Sequence, residues 1–270
     1  VLDLILSRVA DFMEKAQRLK SRVKSAMIYP LTVLIVAFII LLALMKFVIP
    51  KFTEVLTDML GSGTQLNIVT RTVLGVSDWI AYKYGWAVLI GVPIGTIFLL
   101  KIVRQFRVGR LILDTIKLKL PVIGPLSSKI AITRWTRTLG TLISAGVPIL
   151  DAINVTRETA GNEVYAKMLG KVHDSIRQGE TFADPLRQSK TVDLIVSNMV
   201  AVGEETGDLD KMLLKVADNY DEQVDVLVAS LMSLLEPVMI VVLGGIVMTI
   251  VLAIFLPMIQ VISGLSASAT

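Results

Sequence analysis

Cysteine is absent from the 270-residue sequence, and histidine occurs once, at position 173. Without cysteine there is no disulfide framework, no thiolate nucleophile and no thiolate metal site. His173 stands beside Asp174 without a second ligand or a nucleophile, and this isolation indicates a surface residue. No Ser/His/Asp, His-Glu-x-x-His or Walker arrangement can be assembled from the chain. We therefore predict a protein that is not an enzyme and holds no metal or cofactor.

Hydrophobic residues make up 54% of the sequence, and charge is nearly absent from three long apolar blocks. The only charged residue in 31–48 is Lys46, and the only one in 86–103 is Lys101. Residues 238–256 contain no charged residue. Each block has the length that crosses about 30 Å of hydrocarbon at about 1.5 Å per residue. Buried core helices rarely run so long without charge. The sequence predicts an integral membrane protein with transmembrane helices at 30–50, 86–103 and 237–257.

A unit of about 50 residues occurs twice at a constant offset. Pro30 and Pro237 are 207 positions apart, as are Pro50 and Pro257. The same offset relates Leu2-Asp3 to Leu209-Asp210 and Val9-Ala10-Asp11 to Val216-Ala217-Asp218. Each copy is predicted to be a long helix that ends at a proline, an apolar span and a closing proline. If the repeat is complete, the counterpart of the residues upstream of Asp208 is missing upstream of Val1, and the chain is expected to be a fragment or a shortened form of a longer protein.

Basic residues cluster beside the first two spans and predict the topology. The chain has six lysines and arginines between positions 8 and 24, and another six between 101 and 119 against the single Asp114. Residues 1–29 and 104–236 are therefore expected in the cytoplasm, with the connection 51–85 and the tail 258–270 on the outer side. Both clusters adjoin spans and lack interleaved aromatics, which favours anionic lipid headgroups over nucleic acid. Within the spans, Gly91, Gly95, Gly244 and Gly245 are candidate sites of close helix packing.

Residues 104–236 form the only sizeable segment outside the spans. Helical periodicity predicts helices over 130–145, 149–160, 163–177, 183–188 and 192–202, and a last helix from 209 onward. No alternating strand pattern interrupts them. We predict an all-α fold, with a cytoplasmic antiparallel bundle of about six helices whose last member continues into the third span.

The most informative polar stretch is the turn from Gly203 to Gly207. Gly203 is expected to end one helix, and Gly207 to permit the chain reversal before the next. Glu204 and Glu205 would then lie near the N-terminus of that next helix, where the helix dipole favours negative charge. Two interpretations follow: a purely structural turn, or a carboxylate pair that binds a basic residue, a cation or a partner domain.

Several stretches together resemble the type II secretion system F family. The stretch Gly-Glu-Glu-Thr-Gly-Asp-Leu-Asp-Lys-Met-Leu at 203–213 is similar to a family turn, although Thr206 stands where serine is usual. The resemblance extends over essentially the whole chain, in family order. Its other elements are Gln17-Arg18-Leu19-Lys20-Ser21-Arg22, Ala26-Met27-Ile28-Tyr29-Pro30, Leu120-Pro121-Val122-Ile123-Gly124, Arg137-Thr138-Leu139, Ala145-Gly146-Val147-Pro148-Ile149-Leu150 and Leu235-Glu236-Pro237.

The resemblance implies an inner-membrane platform protein of a bacterial type II secretion or type IV pilus machine. Such a platform has two homologous cytoplasmic domains and three spans, so residues 1–29 correspond to the last helix of a first domain that is otherwise missing. Implied partners are a cytoplasmic hexameric ATPase, other inner-membrane assembly proteins, pilin-like subunits and further copies of the platform. Arg137, Gly146, Pro148, Gly203, Glu204, Glu205, Gly207 and Leu209 are the implied structural or partner-binding positions.

Two other classes of protein remain open from the residues alone. A permease subunit driven by a separate ATPase would also span the membrane, but these spans lack a midplane charge and a pair of broken helices. A receptor with a helical output domain would need an outer ligand-binding region, and the connection 51–85 is small for that.

Overall fold

The computed structural model describes residues 28–48, 85–121 and 123–268, together with positions 21, 25, 51, 71, 72, 75 and 79. These residues form helices and their connections, without a strand, so the prediction of an all-α fold is confirmed for this part of the chain. The predictions for residues 1–20 and for most of the connection 51–85 lie outside the described residues. Leu100–Met232 belongs to one compact unit, and the described residues of Ser25–Leu99 and Ser233–Thr270 belong to another.

In the described part of the sequence before residue 104, there are two apolar helices. Helix α1 is Ile28–Val48, and its last five residues, Leu44–Val48, are wound as a π-helix. Helix α2 is Gly85–Val103 and contains Pro93. By length and composition, Ile28–Val48 and a later segment, Leu209–Leu252, can cross a membrane. In α2, the apolar stretch Gly91–Val103 is shorter than these two segments. The second of the three predicted spans therefore stays a prediction.

Among the described residues, the bundle contains six helices and the first part of a seventh. Their bounds are α3 Arg107–Lys119, α4 Ile123–Ser144, α5 Ile149–Thr159, α6 Glu163–Arg177, α7 Ala183–Ser189, α8 Leu194–Thr206 and α9 Leu209–Ser268. The sequence analysis missed α3, because its basic residues were attributed to the membrane flank, and it began α4 seven residues late. Pro125 does not break α4 because it lies in the first helical turn, where a backbone N–H has no partner to lose.

Helix α9 differs from prediction at its prolines. It runs without interruption through Pro237 and Pro257 to Ser268, so neither proline is a boundary. A proline's fixed φ is compatible with an α-helix, and the cost of its missing N–H can be met within a membrane helix by local adjustment. The tail predicted from 258 onward is therefore helical as far as Ser268.

One hydrophobic core holds the bundle together. Leu209, Leu213, Val216 and Tyr220 recur at three- and four-residue steps along α9, so they share one face of that helix. They pack with residues from α4, α5, α6 and α8, among which the most deeply buried include Trp135, Leu139, Ile153, Leu169, Val172, Val196 and Val200. Burial of this face fixes the first part of α9 within the bundle.

Candidate functional site at the α8–α9 turn

Gly203 lies inside α8 rather than at its end. A Cβ built on Gly203 would lie 3.0 Å from the Leu209 Cα and from the Met212 Cβ. The helix continues to Thr206, so the prediction that Gly203 ends it is wrong. This glycine is needed for close approach, because any side chain here would press against the start of α9.

Gly207 performs the chain reversal that the sequence predicts. It follows the last residue of α8 and has a φ of 77° and a ψ of 4°, in the left-handed region. Leu209 then begins α9 and is buried in the core. Tight packing at Gly203 and left-handed geometry at Gly207 together fix the α8–α9 turn.

The two carboxylates of the turn have different surroundings. Glu204 is half-buried, and its carboxylate accepts hydrogen bonds from the backbone N–H of Phe182 at 2.6 Å and of Ala183 at 3.2 Å. These groups start α7, so Glu204 satisfies unpaired donors of a different helix from the expected one. Glu205 is exposed. The pair is thus split into one structural carboxylate and one on the surface.

Arg137 joins α4 to α9 through an ion pair with two carboxylates. Its side chain is buried, and its Nη2 donates to the Asp218 Oδ1 at 3.0 Å and to the Asp221 Oδ2. A guanidinium in such a position is held by charge-assisted hydrogen bonds, which are stronger than neutral ones. The arginine that carries the family resemblance therefore ties together two helices of the bundle.

Gly146 and Pro148 shape the turn between α4 and α5. Gly146 has a φ of 82°, and its N–H donates to the Ile143 carbonyl while that of Val147 donates to the Leu142 carbonyl. This is a Schellman motif, which needs a residue that tolerates positive φ. Pro148 immediately precedes α5. Both residues have structural positions at this turn.

A second polar junction escaped the sequence analysis. The Asp193 Oδ2 accepts from the Lys129 Nζ and from the Tyr220 hydroxyl, each at 2.7 Å, and the Lys129 Nζ lies 4.3 Å from the centre of the Tyr220 ring. The hydrogen bonds from Lys129 and Tyr220 lower the pKa of Asp193. Burial, followed by the hydrogen bond to Asp193, raises the pKa of Tyr220. This junction connects α4, α9 and the residue before α8.

Tyr165 of α6 also makes polar contacts through its hydroxyl. Its hydroxyl donates to the Thr191 carbonyl at 3.1 Å and lies 2.8 Å from the Ser128 Oγ. Burial raises the pKa of Tyr165 to about 12. A buried tyrosine usually finds such polar partners for its hydroxyl.

His173 is half-buried rather than at the surface. Its Nε2 lies 3.3 Å from the Asn154 Nδ2, and its Nδ1 lies 3.4 Å from the Asp174 Oδ1. Among the described residues, no group of three or more histidine, aspartate and glutamate side chains is placed to hold a metal ion.

The four glycines predicted to pack spans lie open within the described part of the chain. A Cβ built on Gly91, Gly95, Gly244 or Gly245 would meet no described atom within 4 Å. Their packing against another helix therefore stays a prediction.

Taken together, the described residues are all-α, and two of their segments are long and apolar enough to cross a membrane. The family model for type II secretion system protein F matches residues 1–50 and 135–257. The chain belongs to the type II secretion system protein F family. The two matched segments end 207 residues apart, which is the offset of the internal repeat.

Three relatives show how far the similarity extends. The type IV pilus assembly protein PilC of Thermus thermophilus is 41% identical, with 98% of this chain and 64% of the relative covered. The protein of the same name in Myxococcus xanthus is 40% identical, with 95% and 60% covered. Type II secretion system protein F of Aeromonas hydrophila is 29% identical, with 96% and 66% covered. The chain thus spans a little under two thirds of the length of these relatives.

Proposed function

We propose that the protein is an inner-membrane platform of a bacterial type IV pilus machine, where it couples a cytoplasmic ATPase to the assembly of pilin subunits. The observation that carries this proposal is the degree of similarity. Over the aligned residues, the two pilus assembly relatives are 41% and 40% identical to this chain, whereas the secretion relative is 29% identical. That difference favours pilus assembly over type II secretion.

Helix α9 supports a mechanical role. Its first part contributes Leu213, Val216 and Tyr220 to the bundle core, and the same helix continues through the uncharged stretch 238–256. A continuous helix resists bending more than a loop does, so a force applied to the bundle can reach the apolar part of α9. Coupling of this kind needs no catalytic residue in the platform itself.

The test of the assignment is deletion of the gene in its own bacterium, followed by complementation with the full-length gene. We expect surface pili to disappear and to return, while export of secreted enzymes is unchanged. Loss of enzyme export with pili intact would instead place the protein in a secretion machine.

Motor coupling is tested separately by co-purification of the full-length protein with the pilus ATPase from membranes. We expect recovery of the ATPase to depend on residues 104–236. Equal recovery after their removal contradicts a motor contact on this bundle.

The split between Glu204 and Glu205 gives each a distinct proposed role. We assign Glu204 to support of the bundle through α7 and exposed Glu205 to the motor-facing surface. Glu204→Gln should lower the melting temperature of the bundle, whereas Glu205→Ala should reduce ATPase recovery at an unchanged melting temperature. Normal recovery with Glu205→Ala contradicts the proposed role of Glu205.

A further inference from the structure

Helix α3 has two apolar faces, and only one of them is used by the bundle. Leu118 packs against the core, and Asp114 is buried on the same side. Val108, Ile112 and Ile116 follow one another at four-residue steps, so they form a stripe on a different face. Their side chains are 70%, 51% and 54% exposed, which is unusual for three consecutive positions of one stripe.

The exposed side of α3 carries charge of one sign. Arg104, Arg110, Lys117 and Lys119 are exposed on and just before the helix. Asp114 is the only acidic residue from 104 to 119, and it is turned inward, where its carboxylate accepts the backbone N–H of Glu163 at 2.9 Å. The Asp114 Oδ1 also lies 3.8 Å from the Arg104 Nη2. An apolar stripe with cationic flanks is typical of helices that lie at a membrane surface.

The chain turns sharply just before this stripe. Helix α2 ends at Val103 and α3 begins at Arg107, with exposed Phe106 in extended conformation between them. A Cβ built on Gly109 would lie 2.1 Å from the Val103 carbonyl oxygen, so only glycine permits this corner. The stripe therefore starts within a few residues of the apolar Gly91–Val103 segment.

We propose that α3 binds the surface of a bilayer that contains anionic phospholipid, with Val108, Ile112 and Ile116 inserted below the headgroups. Lipid phosphates match the excess of arginine and lysine, and acyl chains match the stripe. A second copy of this face is a poor occupant, because its cations would face those of the first. The inference rests on the membrane location in the proposed function, but not on coupling to an ATPase.

The absence of cysteine makes the experiment direct, since a single introduced cysteine takes one spin label. The full chain carrying Ile112→Cys or Ile116→Cys is reconstituted in vesicles of phosphatidylcholine with or without phosphatidylglycerol. Collision rates with oxygen and with a water-soluble nickel complex report the depth of the label. In anionic vesicles, we expect both labels to collide more often with oxygen than with the nickel complex, at a depth of about 5–10 Å. In neutral vesicles, the ratio of the oxygen to the nickel collision rate should fall several-fold.

Two matched labels separate this inference from the location of the chain. Val155→Cys, 45% exposed on α5, should favour the nickel complex in both vesicles. Ile39→Cys, 58% exposed in α1, should favour oxygen in both, because α1 is a proposed span. If the Ile112→Cys label is accessible to the nickel complex while the Ile39→Cys label is accessible to oxygen, only the surface proposal is overturned. Nickel access at both positions overturns the membrane location as well.

Charge reversal tests the headgroup contribution. Arg110→Glu together with Lys117→Glu should move the Ile112→Cys label toward water in anionic vesicles and leave the Ile39→Cys label unchanged. A label that stays protected in these variants, or in neutral vesicles, overturns lipid recognition. Disulfide formation between two Ile112→Cys chains with equal protection in both vesicles identifies a second copy as the occupant, and also overturns it.

Discussion

The bundle and the apolar helices place the same kinds of side chain in opposite surroundings. In the bundle, Trp135 and Leu213 have no exposed surface. In the second unit, Phe98 is 66% exposed and Val241 is 73% exposed. Helix α9 contributes to both regions, since Leu213 and Val241 belong to the same helix.

This contrast fits the membrane location proposed above for the apolar helices. Exposure of apolar surface to water costs about 25 cal/mol per Å², so helices that expose it along their length are not stable in water as they stand. Hydrocarbon removes that cost, and an α-helix satisfies its own backbone hydrogen bonds there. In the proposed membrane location, the same residue types therefore stabilise the bundle by burial and the apolar helices by transfer into lipid.

The largest expected effect comes from a core truncation in the bundle. Trp135→Ala should lower the free energy of unfolding by about 3–5 kcal/mol, because it leaves a cavity in a closed core. The indole Nε1 has no hydrogen-bond partner in the described part of the chain, so the loss is one of packing. Denaturant unfolding in mild detergent, followed by circular dichroism, measures it. Phe255→Ala is the control, because Phe255 is 58% exposed on α9. An equal loss of unfolding free energy there would contradict the difference between the two regions.

A charge sharpens the comparison from the other side. Val247 is 58% exposed within the uncharged stretch of α9. Val247→Arg should oppose membrane insertion by about 2.5–3.5 kcal/mol, because arginine is costly near a helix centre in lipid. Leu194→Arg, at a position 70% exposed on α8, should change bundle stability by no more than about 0.5 kcal/mol. A reporter fused after Thr270 measures insertion. Unchanged insertion of Val247→Arg would show that this part of α9 does not span the bilayer.

A smaller effect is expected where two helices approach closely. Gly203→Ala should destabilise the bundle by about 1–3 kcal/mol, since its Cβ would press on Leu209 and Met212. Gly170→Ala in α6 is the matched control. Among the described atoms, its Cβ would come no closer than 3.9 Å, to the Arg157 Cδ. The gain in helix propensity should therefore stabilise the bundle by up to about 1 kcal/mol. Thermal unfolding of both variants decides whether Gly203 serves close packing; equal behaviour would refute it.

The sequence predicted what depends on local pattern. Periodicity identified α5 and α6 nearly to the residue, and lack of charge identified the apolar segments. It did not place Gly203 correctly, because a glycine that ends a helix and a glycine that admits a neighbouring helix have the same local pattern. The Lys129–Asp193–Tyr220 junction was also missed. Its members are 64 and 27 positions apart, and only the packing of α4 against α9 brings them together.

The smallest expected effect depends on pH and concerns Asp193. Because its pKa is lowered in the folded state, its ion pair stabilises the bundle above the ordinary carboxyl pKa of 3.8, and this stability is lost as the pH falls through the folded value. Its side chain is 54% exposed, so solvent screening limits the contribution to about 1 kcal/mol or less. Asp193→Asn should therefore be less stable than the natural chain at neutral pH, and the difference should shrink below the pKa of 3.8. Tyr220→Phe removes one hydrogen bond but keeps the ion pair with Lys129, so most of the pH dependence should survive. A difference that is constant from neutral to acid pH would show that Asp193 acts through its shape and not through its charge.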